Sequence, residues 1–450
     1  KEVIKYTMTK NPVWSRPVIT KLVYSDYNSI TGRLFSRLHL RKVEPNPRVV
    51  IDNMSCMFKP NWREIVAGFK SKPLYYDVEA SMDWIRKKKD GQEIYDELLH
   101  WMANNIGIKP MSDINVHLKL ESLLKEDPTN HMGEGKARII AWQAKAVAAI
   151  YSHIFMKAKS RLKHLLNDKI LYSDGLTPNQ ISNWLRGKNN TKWFMENDLS
   201  KQDRQTDKPI LDVEFMIYEL LGVHTQVIAN WMLVHRNWRA KSKFTKFMLD
   251  LLRLTGQATT AIGNFIVNMM IHARLFNDSW EELDFVIMLG DDMASGYRTK
   301  PDVSRVRKET KDEFNMLSDQ VVRETHATFC SYLIGHDEAD RLALFPDYVR
   351  LKLRFEVTNG VSEVSDDNLK ARALSYCHMV SNGPRTLGKI REMGLPEDLP
   401  DWYDHHNAIR LASLKYTMSE NEVESYYDTL IDSLGSQPHA VVYKCFVPNR

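Results

Sequence analysis

Apolar residues recur at three- and four-residue spacing across 141–166 and again across 212–233. That period predicts amphipathic helices in both stretches and a chain in which helix dominates. Two short segments depart from it. Trp193-Phe194-Met195 is an apolar run that meets Glu196-Asn197-Asp198, and Phe285-Val286-Ile287-Met288-Leu289 runs into Gly290-Asp291-Asp292. Each is predicted to be a buried strand ending in carboxylates. Met293-Ala294-Ser295-Gly296 is expected to return as the second arm of a hairpin, because Gly-Asp suits a tight turn. That geometry would lift both aspartates to a strand edge facing a cleft.

No internal repeat or low-complexity tract interrupts the pattern, and glycine and proline are scattered as punctuation. At 450 residues the chain exceeds the size at which single cores stop growing, so interleaved subdomains around a shared cleft are expected. An apolar content of 43% with 10% aromatic residues excludes a disordered chain. No apolar run approaches the roughly 18 residues that span a bilayer, and Lys1-Glu2-Val3 opens no signal-peptide pattern. Beginning without Met, the chain is expected to be a piece of something longer. Cys56, Cys330, Cys377 and Cys445 lie far apart, which argues against a disulfide scaffold or structural zinc site and fits a reducing compartment.

The 62 Lys and Arg against 57 Asp and Glu give a net charge of only +5, so distribution matters more than the sum. Basic residues gather at 86–89, 157–163 and 236–246, the last with Trp238 and Phe244 interleaved. Such stretches can follow a phosphate backbone and stack on bases, although for any single cluster a solvated helix face is the commoner arrangement.

Phosphoryl transfer from a triphosphate needs divalent metal, and two ions about 4 Å apart need carboxylates arriving from separate segments. Asp198 and Asp291, with Asp292 beside it, are the candidates because each follows a predicted strand. Between them lies Thr255-Gly256-Gln257-Ala258-Thr259-Thr260-Ala261-Ile262-Gly263-Asn264. Its glycine loop is expected to open a helix and let the backbone approach a ligand closely. Thr260 and Asn264 would share one helical face, from which they can hydrogen-bond a sugar hydroxyl. The adjacent His405 and His406 would diverge by about 100 degrees on a helix, so they read as structural or surface groups.

In order and spacing these segments resemble the palm of the RNA-dependent RNA polymerases of alphavirus-like positive-strand RNA viruses. Asp198-Leu199-Ser200-Lys201-Gln202-Asp203 resembles the D-x-x-x-x-D motif, in which the first Asp binds metal and the second senses the ribose. S-G-x-x-x-T-x-x-x-N is met by Gly256, Thr260 and Asn264, with Thr255 in place of serine. Gly290-Asp291-Asp292 resembles the hallmark turn, its first Asp on metal and its second in support. Separations of about 58 and 35 residues leave room for a fingers insertion and a connecting helix. Upstream, Lys119, Lys136, Arg138 and Gln143 resemble the basic fingers motif of the nucleotide channel, and Lys145 can join it or lie on a solvated face. Downstream, Phe329-Cys330-Ser331, Phe345-Pro346-Asp347 and Arg350-Leu351 resemble the palm-to-thumb junction, with Cys330 structural. Many members carry a lysine after the counterpart of Asn315-Met316 that can protonate pyrophosphate. Here Leu317-Ser318-Asp319-Gln320 offers none, which leaves Arg323 or His326 as substitutes and the general acid unassigned.

The resemblance covers 119–354 and implies an α+β right hand: fingers, a palm with a small antiparallel sheet, and a thumb, in mostly helical surroundings. Fingers and fingertips would occupy 1–192, the palm 193–340 with a fingers insertion at about 208–250, and the thumb 341–450. It implies template-directed RNA synthesis from NTPs by two-metal-ion nucleotidyl transfer, with Mg²⁺ as cofactor and Mn²⁺ as a possible replacement. Asp198, Asp291 and Asp292 would serve the metals. Asp203, Thr255, Gly256, Thr260, Asn264, Lys119, Lys136 and Arg138 would bind substrate. Partners would be template and product RNA and the capping and helicase domains of a larger replicase, on cytoplasmic membranes reached only through those partners. A reverse transcriptase and a catalytically inactive palm that binds RNA are the competing readings.

Overall fold

The strand Leu283–Leu289 carries the apolar run Phe285 to Leu289 because it is buried on both faces, and the rest of the central sheet is assembled around it. The computed structural model describes residues 4–8, 27, 29–32, 34–35, 42–107, 109–119, 138–200, 202–249, 253–276, 279–355, 375–377, 379–380, 384–392, 394, 404–435 and 439–443. Among them the strands are β1 (Ile4–Met8), β2 (Asp113–Leu118), β3 (Ile139–Gln143), β4 (Ile170–Tyr172), β5 (Trp193–Ser200), β6 (Trp238–Lys241), β7 (Lys246–Leu249), β8 (Leu283–Leu289), β9 (Asp292–Tyr297), β10 (Leu317–Arg323), β11 (His326–Phe329), β12 (Tyr332–His336), β13 (Leu342–Pro346) and β14 (His439–Tyr443).

The central sheet runs β10-β5-β9-β8-β4, antiparallel except for the β4–β8 edge. A second sheet, β3-β2-β6-β7, joins the hairpin β6–β7 to β2 in parallel register. β11, β12 and β13 form a meander, and β1 pairs with β14. Helices surround these small sheets, so the architecture is mixed α and β, as expected. One apolar cluster packs the central and second sheets against helices Lys145–Leu165, Lys208–Leu220 and Thr260–Leu275. A separate one packs the meander against Tyr348–Phe355, His405–Tyr416 and Glu420–Gly435. None of the described helices is long and apolar enough to cross a membrane.

Both predicted carboxylate-tipped strands form, and the expected hairpin is β8–β9, whose last pair is Leu289 with Asp292. Gly290 takes φ +61°, the left-handed backbone that a two-residue turn with glycine first requires. The two long predicted helices need correction. Residues 141–143 belong to β3, and the helix starts at Lys145, because the alternate residues Ala141 and Gln143 are buried as in a strand. The 212–233 stretch is two helices, Lys208–Leu220 and Thr225–Val234. Gly222 at φ +79° breaks them apart, and any side chain there would overlap the Arg161 guanidinium.

Candidate active site

Residues from distant parts of the chain line a cavity of about 690 Å³. Asp198 comes from the end of β5, Asp203 from the short helix Gln202–Gln205, and Asp291 from the β8–β9 turn. Thr255, Thr260 and Asn264 come from the loop and first turns of Thr260–Leu275, and Lys119 and Arg138 from the end of β2–β3. β5 and β9 pair through Glu196 and Ala294, so extending that register by two residues sets Asp198 across from Asp292, next to Asp291. The carboxylate opposite Asp198 on β10, Asp319, is ion-paired with Arg307, which offsets a like-charge clash.

Asn264 is 6% exposed and donates its Nδ2 to Asp203 Oδ1 at 3.0 Å, while its own Oδ1 has no hydrogen-bond partner. Burial raises the Asp203 carboxyl above its ordinary range, and Asp291 adds to the rise; Asn264 and the Arg253 charge act against it. Arg253 also lines the cavity. It is 1% exposed, and its guanidinium grips Glu214 with two nitrogens and donates to Thr259 O at 3.3 Å. Tyr218 completes this network by donating to Glu214. The pair fits only because position 263 is glycine: a Cβ there would overlap the guanidinium and lie 2.6 Å from Glu214 Oε1.

The loop before that helix is tied down by hydrogen bonds to β3 and within itself. Gly256 packs closely on β3: its N–H donates to Ala141 O at 2.9 Å, and a Cβ would meet Trp142 Cβ at 2.9 Å. Thr255 Oγ1 accepts from Ala141 N at 2.9 Å and donates to Ala141 O at 3.2 Å. Thr260 Oγ1 donates to Leu254 O and accepts from Gln257 N at 3.0 Å, which leaves one lone pair for a ligand. The Thr255 hydroxyl thus staples the loop to the strand that follows Arg138, and the Thr260 hydroxyl holds the loop to itself. Gln257 does similar work, accepting from Leu254 N at 2.9 Å and reaching His235 Nε2 at 3.2 Å.

Asp292 is not among the residues that line this cavity. Its Oδ2 accepts from Cys330 N at 2.7 Å, and burial raises its carboxyl above the usual range. Cys330 and Ser331 both take positive φ, +48° and +70°, which aims that N–H from the β11–β12 turn. Burial also pushes the Cys330 thiol up, so it stays protonated, in keeping with a structural part.

Lys119 and Arg138 stand exposed where the β2–β3 ladder ends, joined by Lys119 N donating to Arg138 O at 2.7 Å. Lys136 lies outside the described residues. Gln143 is not part of the channel, since its Nε2 donates to Met111 O at 2.7 Å, and Lys145 pairs with Asp90. Neither substitute for the missing lysine suits an acid. Arg323 is bound to Glu196, and burial brings His326 down to about 4, neutral at physiological pH. Of the basic clusters, 157–163 is largely structural: Arg161 donates to the carbonyls of Phe69, Lys72 and Leu221, and Lys159 and Lys163 pair with Asp174. Trp238 is fully buried and cannot stack on a base, whereas Phe244 is exposed. His405 packs on Tyr427 and bonds Tyr348, and His406 lies on the surface beside Glu338.

Among the described residues no three His, Cys, Asp or Glu side chains converge as a metal cage. Two hard carboxylates on one cavity fit magnesium, which takes one or two such ligands and completes its shell with phosphates and water.

Sequence similarity points the same way. Residues 29–382 match the family described as RNA dependent RNA polymerase. The chain is 26% identical over 275 residues to the RNA-directed RNA polymerase 2a of alfalfa mosaic virus, covering 60% of this chain and 31% of that protein. It is 24% identical over 337 residues to the RNA-directed RNA polymerase 2a of brome mosaic virus, covering 71% and 39%. Over 404 residues it is 25% identical to the replicase large subunit of Sunn-hemp mosaic virus, covering 80% and 24%. The chain thus spans less than half the length of each of these relatives. With most of its length matched and three motifs in order on one cavity, this chain belongs to the RNA-dependent RNA polymerase family, in its alphavirus-like viral branch.

Proposed function

We propose that this chain is the polymerase core of a viral replicase and extends RNA on an RNA template from nucleoside triphosphates, in genome replication and transcription. The carrying observation is a single cavity lined by Asp198 and Asp291, by the Asp203–Asn264 pair, and by Lys119 and Arg138. Asp198 and Asp291 would hold a pair of Mg²⁺ ions, or Mn²⁺ in their place. Bound there, the ions would acidify the attacking 3′-hydroxyl and neutralise the leaving pyrophosphate. Lys119 and Arg138, with Lys136, would bind the triphosphate by charge. Asn264 Oδ1, buried and unpartnered, would accept a hydrogen bond from the ribose 2′-hydroxyl, with Asp203 orienting its amide and Thr260 Oγ1 offering a second acceptor. Asp292 would support the turn through Cys330.

The same reading assigns the central sheet to a palm at 193–340, which also takes in β4 from 170–172, and the C-terminal helices to a thumb at 341–450. Pairing of β6–β7 with β2 supports joining the insertion at about 208–250 to N-terminal fingers. Template and product RNA would be the principal partners. Capping and helicase domains of the replicase, on host cytoplasmic membranes, would supply the rest.

Extension of a short primed RNA tests the reading. Asp291→Ala is expected to abolish nucleotide addition while RNA binding persists; near-normal extension would overturn the metal assignment.

A further inference from the structure

The helix Thr260–Leu275 carries a polar residue at every fourth position, Thr260, Asn264, Asn268 and His272, although almost all of its other side chains are buried and apolar. Each of the four is fastened to a different element. Thr260 holds its own loop through Leu254 O, and Asn264 holds Asp203. Asn268 Nδ2 donates to Gly290 O at 2.9 Å, and His272 Nε2 meets the Tyr297 hydroxyl at 2.9 Å. The first two positions belong to the recognised motif; Asn268 does not.

Asn268 is 0% exposed and its Oδ1 has no partner. An apolar side chain of similar shape would leave no such orphan, so the site keeps an amide at an energetic cost. What the amide gains is one bond, to the carbonyl of the glycine that precedes Asp291. Gly290 stands at φ +61° in a two-residue turn and Asp291 is exposed; the foot of the turn is held by the Leu289–Asp292 pair and by the Cys330 bond to Asp292, and its tip by the Asn268 amide.

We propose that Asn268 is a positioning residue that latches the Gly290-Asp291 turn to the helix carrying Asn264. One rigid rod then sets both the sugar-reading amide and the metal-holding carboxylate. Two turns of helix separate Thr260 from Asn268, and the buried apolar residues around them keep the spacing constant. The catalytic half of this inference rests on the polymerase reading; the latch itself does not.

Asn268→Leu tests it, since leucine keeps the volume and removes the donor, and Asn268→Ala serves as a second variant should leucine pack badly. Amide hydrogen exchange in the free protein is expected to speed up roughly tenfold at 289–292 and to stay unchanged along 262–272. In single-nucleotide extension, kcat is expected to fall about tenfold or more with little change in KM or in ribose-over-deoxyribose preference, because a misplaced reacting group costs rate. Asn264→Ala should do the reverse, relaxing sugar preference without altering exchange at the turn. Unchanged exchange at 289–292, or faster exchange throughout the helix, would overturn the latch. A wild-type protein that adds no nucleotide, with faster exchange in the leucine variant, would uphold the latch and overturn the polymerase reading.

Discussion

On the acidic part of the cavity lining, Asp203 and Asn264 sit in a buried network backed by Arg253, Glu214 and Tyr218, with Gly263 leaving just enough room. On the basic part, Lys119 and Arg138 stand exposed at the open end of a two-strand ladder. The contrast separates two kinds of work. A buried hydrogen-bonded network fixes atoms to fractions of an ångström and resists displacement. Exposed cations act through charge, which falls off slowly with distance and tolerates motion. Damage to the first should cost rate or folding, and damage to the second should cost binding.

The largest expected effect lies at the open face of the acidic part. Asp198→Asn removes a charge but keeps the shape, and should lower kcat for extension by roughly a thousandfold or more with RNA affinity nearly unchanged. A loss confined to RNA binding would move Asp198 out of the chemistry. Next comes the support behind it. Gly263→Ala pushes a methyl into a buried ion pair, which should destabilise the fold by about 2–4 kcal/mol. A thermal melt as high as that of wild type would show that the pair has slack, and the contrast between the two parts would weaken.

How far the chain could be read in advance follows the same division. Strands that end in carboxylates were legible because burial forces an apolar run and the acidic residues that follow break it abruptly. The order of Asp198, Gly256, Thr260, Asn264 and Asp291 was legible because the chemistry constrains type and spacing. What stayed hidden depends on contacts between distant segments. Arg253 looks like any basic residue until Glu214, 39 positions away, is placed against it. Gly263 reads as a weak point in a helix until the guanidinium beside it is seen. Asp292 was expected to support Asp291, but its partner in the β11–β12 turn, the Cys330 N–H, lies 38 positions away and gave no signal in the sequence. The helix spacing misled at the start of 141–166 and in the middle of 212–233 because β3 and the Gly222 turn carry apolar residues that happen to keep the three- and four-residue rhythm.

On the basic part, Arg138→Ala is expected to raise KM for nucleoside triphosphate about tenfold and to leave kcat within roughly twofold. The defect should shrink as added salt screens the wild-type attraction. A fall in kcat with unchanged KM would place Arg138 among the geometric parts and erase the distinction drawn above.

The smallest effect sharpens the comparison from inside the acidic network. Burial raises the Asp203 carboxyl above its unfolded value of about 3.9. A raised folded pKa means that the native state holds its proton more tightly than the unfolded chain does. No penalty exists below the unfolded pKa; it accumulates as pH rises through the folded one and then levels off. Asp203→Asn keeps an oxygen to accept from Asn264 Nδ2 while removing the charge. The variant should therefore melt about 1–2 °C above wild type at neutral pH, with the gap closing as pH falls below about 4. Its preference for ribonucleotides should weaken at the same time, since the charge-assisted bond that orients Asn264 becomes a neutral one. A gap that widened towards acid pH would mean that the Arg253 charge outweighs burial at Asp203, and the carboxylate would then be a stabilising member of the network rather than one held there for function.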